Sequence, residues 1–409
     1  ANATETDMII AVTRNDEINM LICQLAVALA AFTLPVIAPA ASQTLDIPSN
    51  FIGYYTSVML IGATISTLVT SAFVHRYGAF RVSQVTLIFA GLGLCILPIV
   101  TLHYAILPVF LLSACLIGIA YGPANPASSH LLVRETPTHL RGRVLSIKQA
   151  AIPAAGAISG FAMPSIEGAI GWEKTSLLAA ALCFLLVFLL HPWRRIYDAE
   201  RNKNAPIIAS GLLNGLLIVK RHKALWLPAI ASGAYAAVQF CFIALFVTAA
   251  VATTNFDLHE VGAALSIGMT VSIGGRVFWG WVADYFKPRK VLGCLGISMG
   301  VCAIIPITLG PDWFYFGLIM LSVGFGCSGT SWQGVYLTEV ASVVPQNKIT
   351  EATSGCMTIT FLGGIVGPAL AAFVTGLLDD ITSGFVLVGL VSIVFGIAFF
   401  MPEKWANTA

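Results

Sequence analysis

Arg276 is the first residue that demands an explanation. It sits in an otherwise apolar run, residues 260–283, about two turns from the end. A cation inside a bilayer costs on the order of several kcal/mol unless it faces a wet cavity or a partner. The middle of every long apolar run in the chain is free of carboxylates. A guanidinium fork suits bidentate binding of a carboxylate or another planar oxyanion. It suits capping of helix termini or binding of lipid phosphate at the inner leaflet equally well, so both roles stay open. Further polar side chains interrupt the apolar runs. They are Gln24; Tyr121 and Asn125, beside Gly122-Pro123 and Pro126; Tyr235 and Gln239, four apart and hence on one helical face; and Ser331, Trp332, Gln333 and Tyr336. Amides turned toward lipid would be expensive, so these groups are expected to point inward, to a ligand or to a neighbouring helix.

Other chemistries find little support. The nine cysteines all fall inside apolar segments without a CxxC pair or a Cys/His cluster, which argues against disulfides and metal sites. They read as small apolar packing residues. Gly324-Phe-Gly326-Cys-Ser-Gly329 matches the GxGxxG pattern, but that pattern binds a pyrophosphate only in a strand-to-helix turn. Inside an apolar run, small residues instead permit close helix packing. No phosphate-binding loop of the GxxxxGK[ST] type is present, and no catalytic pair is visible within the apolar runs. No cofactor and no enzymatic activity are expected.

The elements that position these residues follow from composition. Of 409 residues, 57% are hydrophobic and only 10% charged, with a mean hydropathy of +0.88. A soluble chain carries about a quarter charged residues. The apolar stretches run about 20 residues without period-2 alternation, which specifies spanning helices over a closed barrel. The net charge of +2 carries no basic block that would suggest nucleic acid. The predicted spans are 18–41, 50–74, 82–101, 104–131, 146–166, 175–193, 224–250, 260–283, 291–309, 313–338, 350–376 and 382–401. The first lacks a charged leader with a small-residue cleavage site and reads as span 1.

The basic residues test that count. With both termini cytoplasmic, 19 of the 21 Lys and Arg fall on the cytoplasmic side. Lys174 alone falls outside, Lys148 at the opening of the fifth span is counted with the cytoplasmic side, and Arg276 alone lies deep within a span. A missed or extra helix would scramble this positive-inside asymmetry, so twelve spans are expected. The longest polar connection, residues 194–223, separates two halves, 1–193 and 224–409. Within it, 205–219 is an amphipathic stretch suited to lie on the membrane. The halves echo each other at an offset of about 208 residues, which pairs Gly118 with Gly326, Asn125 with Gln333, Pro137 with Pro345 and Gly156 with Gly364. One residue out of that register, Ser71 to Arg81 matches Gly280 to Lys290. Two six-helix repeats of one orientation place a ligand site midway between them.

Gly280-Trp-Val-Ala-Asp284, followed by Lys287, Arg289 and Lys290, resembles the loop signature of the major facilitator superfamily, and Ser71 to Arg81 is a weaker copy. Gly363-Gly364-Ile-Val-Gly367-Pro368 resembles the superfamily's Gly-rich packing motif. Ser146-Ile-Lys148-Gln149, Gly275 to Trp281 and Trp332 to Val340 look like cyanate-permease-type bacterial members. Arg276-x-x-x-Gly280-x-x-Ala283 resembles the segment of monocarboxylate transporters whose arginine binds the anionic substrate. Those carry an acid one turn earlier, where this chain has Ser272. The resemblance implies an all-α membrane protein of two six-helix bundles in a bacterial inner membrane, a monomer. Spans 1, 4, 7 and 10 would line the central path and bring the residues above to it.

The resemblance also implies gate residues. The acid of the first loop copy is replaced by His75, while Glu351 opens span 11, so His75 and Glu351 are expected to pair or else to stay solvated. Asp284 is expected near Arg141 and Arg143 at the start of span 5. Lys148 either lines the inner mouth or sits at the membrane interface. Glu339 and His130, near the inner ends of spans 10 and 4, are the candidate proton carriers. The expected activity is secondary transport of a small organic anion, a carboxylate, by alternating access. Coupling could come from a proton travelling with the anion, from exchange, or from simple facilitation. The rival expectations are an efflux antiporter for neutral or hydrophobic compounds and a non-transporting receptor.

Overall fold

A computed structural model of the chain describes residues 15–102, 106–135, 147–193, 198, 201–204, 212–345 and 348–401. All regular structure among these residues is helical. The helices are α1 (Asn15–Leu45), α2 (Phe51–Tyr77), α3 (Ala79–Cys95), α4 (Ile106–Glu135), α5 (Ala151–Ile170) and α6 (Trp172–Leu190). They continue as α7 (Leu212–Arg221), α8 (Trp226–Thr253), α9 (Leu258–Tyr285), α10 (Pro288–Ile304), α11 (Tyr315–Gly324), α12 (Gln333–Ser342), α13 (Ile349–Leu378) and α14 (Ser383–Ala398). Nine helices among the described residues are long and apolar enough to cross a bilayer. Their outer faces suit it: Phe188, Val277 and Leu377 are 67–77% exposed, a surface that water would not tolerate but lipid does.

Local chemistry sets the helix ends. Asp257 starts α9 with a capping box, its Oδ1 accepting from Glu260 N at 2.7 Å while Glu260 Oε2 accepts from Asp257 N at 3.0 Å. Pro288 opens α10 at a position where its missing N–H costs nothing. Asp379, at φ 53°, ends α13 in the left-handed region. Span 10, expected as one helix over 313–338, is interrupted. It runs as α11, a π-helical segment Phe325–Gly329 and a turn at 330–332 before α12.

Contacts group the chain into two compact units. The first comprises Ala1–Thr33, Ile61–Gly156 and Ile170–Ala209, the second Leu34–Leu60, Ala157–Ala169 and Ser210–Ala409. In the second unit small residues let backbones touch. A methyl group on Gly326 of the π segment would overlap the Gly268 carbonyl of α9, and one on Gly363 of α13 would overlap that of Gly233 on α8. The GxGxxG run therefore serves helix packing, as expected of glycines inside a span. Of the amphipathic stretch 205–219, the described part belongs to α7, whose last turn carries Lys220 and Arg221.

Candidate functional site

In the second unit, α9 presents Ser272, Arg276 and Trp279 on one face, because steps of four and three residues return to the same side of a 3.6-residue helix. Both neighbours of the arginine on that face are fastened to the interrupted span. Thr330 Oγ1 donates to Ser272 Oγ at 2.7 Å, and Ser331 Oγ to the Ser272 carbonyl at 3.3 Å. Trp279 Nε1 donates to the Cys327 carbonyl at 2.8 Å. Half-buried Arg276 thus rises from the strip of α9 that faces residues 327–331.

The interruption itself follows from residue types. Thr330 N bonds back five residues to the Phe325 carbonyl at 3.1 Å, and the Thr330 and Ser331 hydroxyls both reach the Gly326 carbonyl, at 3.0 and 2.8 Å. Hydroxyls that bond backward compete with the helical ladder, and three glycines weaken it further. Such π-bulges recur at functional sites. The sequence reading missed this one, although Gly324, Gly326 and Gly329 followed by Thr330-Ser331 were its signal.

Beyond the turn, Tyr235, Gln239, Trp332 and Tyr336 come together. Trp332 Nε1 donates to Gln239 Oε1 at 3.0 Å, and its ring meets Tyr235 and Tyr336 edge-on at 5.6 and 5.4 Å. Tyr235 Oη donates to the Leu292 carbonyl at 3.0 Å. None of the four is more than 4% exposed. Ser331 is equally buried, whereas Gln333 is half-buried at the head of α12. Glu339, lower on α12, is 5% exposed.

The first unit gathers a second polar cluster. Lys148 lies in the helical turn 147–149 just before α5, yet it is only 2% exposed because its side chain reaches back to α4. Its Nζ donates to the Asn125 carbonyl at 2.8 Å and also contacts Asn125 Oδ1 and Ser129 Oγ. Ser128 Oγ lies 3.0 Å from both the Asn125 carbonyl and Gln24 Oε1 of α1. Gln24 is 3% exposed, and its Nε2 finds no hydrogen-bond partner among the described residues. Tyr121 is half-buried one turn before Asn125. Lys148 is therefore no interface lysine: it is an interior group beside predicted ligand contacts.

The gate candidates fare unevenly. The His75 ring meets His130 edge-on at 5.8 Å, and both side chains are exposed. Asp284 is exposed at the end of α9. The Glu351 side chain, Arg141 and Arg143 lie outside the described residues. The sequence reading also missed Asp198, whose buried carboxylate accepts from Phe80 N at 3.0 Å and Arg81 N at 2.9 Å. These are orphan amides at the start of α3, where a helix favours negative charge. The signal was a helix opening on Gly78-Ala79 with no Ser, Thr, Asp or Asn to cap it.

Comparison with known proteins agrees with the all-helical architecture. The hexuronate transporter of Bacillus subtilis (strain 168) is 23% identical over 380 residues, covering 87% of this chain and 86% of that protein. Human monocarboxylate transporter 11 is 25% identical over 368 residues, covering 86% and 74%. The crystal structure of a point mutant of the nucleoside transporter NupG superimposes with a TM-score of 0.78 over 94% of this chain and 99% of that one, at 15% identity, a likeness of fold. The Major Facilitator Superfamily profile matches residues 20–341, and the chain belongs to that superfamily of membrane transporters.

Proposed function

We propose that the chain is a secondary transporter of a small organic anion, a carboxylate, in a bacterial inner membrane. Twelve spans with both termini cytoplasmic form two six-helix halves, 1–193 and 224–409, joined by 194–223, which expose the site alternately to each side. The observation that carries the reading is Arg276, whose face of α9 is held by Ser272 and Trp279 against residues 327–331. A guanidinium on a fixed strip is prepaid in orientation, which favours bidentate carboxylate binding. The names of the two relatives, a hexuronate and a monocarboxylate carrier, support the same cargo class. Tyr121, Asn125 and Gln333, each half-buried, supply neutral contacts. Tyr235, Gln239, Ser331, Trp332 and Tyr336 of the second unit and Gln24 of the first complete the set. Glu339 and His130 carry a coupled proton. His75 with Glu351, and Asp284 with Arg141 and Arg143, close the inward side.

Uptake of radiolabelled glucuronate and lactate into proteoliposomes tests the proposal. Arg276→Gln should raise the half-saturating concentration at least about tenfold, and Arg276→Lys should recover part of it, because an ammonium keeps the charge but not the fork. Saturable uptake with unchanged affinity in Arg276→Gln would sink the reading. The rival, efflux of neutral or hydrophobic compounds, draws on the aromatic group around Trp332, but those rings are at most 2% exposed.

A further inference from the structure

Among the described residues, Lys148 has hydrogen bonds but no counter-charge. Among the described residues its three acceptors, the Asn125 carbonyl, Asn125 Oδ1 and Ser129 Oγ, are all neutral. Neutral dipoles return only part of what a buried ammonium gives up on leaving water; a carboxylate returns more. An ionisable group buried this fully is a candidate functional group. A second observation points the same way. Gln24, linked to the same cluster through Ser128, leaves a buried N–H donor without an acceptor among the described residues. Among the described residues, one hydrogen-bonded cluster thus holds a buried ammonium without a carboxylate and a buried amide donor without an acceptor, a combination suited to an anion.

We propose that Lys148, with Asn125, Ser129 and Gln24, is a carboxylate-binding site within the first unit. This inference rests on the reading of the cargo as an organic anion and adds a second cation to its recognition, independent of Arg276. Ser129 and Asn125, both half-buried, give up the ammonium as the anion takes it. The turn before α5 then becomes part of the binding apparatus, since the lysine springs from it.

Thermal shift and calorimetric titration of the purified, detergent-solubilised protein with sodium glucuronate and sodium lactate test this, with glucose and methyl lactate as uncharged comparators. Wild type should respond to the anions only. Lys148→Gln should weaken the anion response about ten- to a hundredfold, the worth of one charge-assisted hydrogen bond, and Lys148→Arg should keep most of it. Asn125→Asp installs a resident carboxylate beside the lysine and should weaken binding as much while leaving Lys148 intact. That variant decides the matter if Lys148→Gln does not fold. An anion response that Arg276→Gln abolishes but Lys148→Gln and Asn125→Asp preserve would overturn this inference and leave the proposed function standing. No anion response in wild type would overturn both.

Discussion

Asp198 offers the sharpest test of how the start of α3 is held. Its carboxylate takes two amides of α3 at 2.9 and 3.0 Å while only 4% exposed. Hydrogen bonds to a charged group contribute roughly 1.5–3 kcal/mol each, and loss of a helix cap costs about 0.5–2 kcal/mol. The two bonds share one carboxylate, so about 2–3 kcal/mol is expected for Asp198→Ala, and about 1 for Asp198→Asn, which keeps one acceptor. The residue across from it is Gly78, at φ 93° and ψ 149°, a backbone region that side chains avoid at a cost of about 1–3 kcal/mol. A methyl group on Gly78 would also overlap the Asp198 carboxyl. Gly78→Ala therefore suffers twice in wild type, from strain and from collision, but only from strain once Asp198 is gone. A double-mutant cycle by denaturant titration in mixed micelles should give a coupling of about 1–2 kcal/mol. Additivity within about 0.5 kcal/mol would refute the reasoning, because unconnected residues add. The same cycle bears on Asn202, whose N donates to the His75 carbonyl at 3.0 Å at the end of α2.

The parts of this molecule that were legible in the sequence are those that the bilayer dictates. Length, hydropathy and placement of Lys and Arg read out helices because lipid leaves the backbone no other solution. Pairing of Tyr235 with Gln239 was legible because four residues are one turn. Three features were not. The π segment depends on the Thr330 amide and the Ser331 hydroxyl choosing backbone partners five residues back, a choice that periodicity does not encode. The burial of Lys148 depends on a side chain folding back across the turn before α5, whereas charge patterning sees only a lysine near a span end. The Asp198 cap joins residues about 118 apart, so local capping rules leave the start of α3 merely unexplained. One correspondence was half visible. At the 208-residue offset of the repeat, the turn at 330–332 corresponds to residues 122–124, beside Pro123 and Pro126 of α4. There α4 runs unbroken through both prolines, whereas hydroxyls with glycine interrupt span 10.

Two further predictions follow from packing in the second unit. Trp332→Phe keeps a ring between Tyr235 and Tyr336 but leaves Gln239 Oε1 buried without its donor. That should cost about 1–3 kcal/mol in the same micelle titration, and adding Gln239→Leu should recover most of it, because removing both partners is nearly neutral. If the double variant is as unstable as the sum of the singles, the bond is not what the tryptophan contributes. Gly326 and Gly334 make the second pair. Alanine at 326 would meet the Gly268 backbone, which has nowhere to go while Thr330 and Ser331 hold α9 in place, so about 1–3 kcal/mol should be lost. Alanine at 334, on the exposed face of α12, meets nothing within 4 Å and should gain about 0.5–1 kcal/mol from lower backbone freedom in the unfolded chain. The contrast separates close packing from helix propensity, which would raise stability at both positions. Equal gains at 326 and 334 would mean that α9 and the π segment can part without cost, and the fixed strip that orients Arg276 would lose its physical basis.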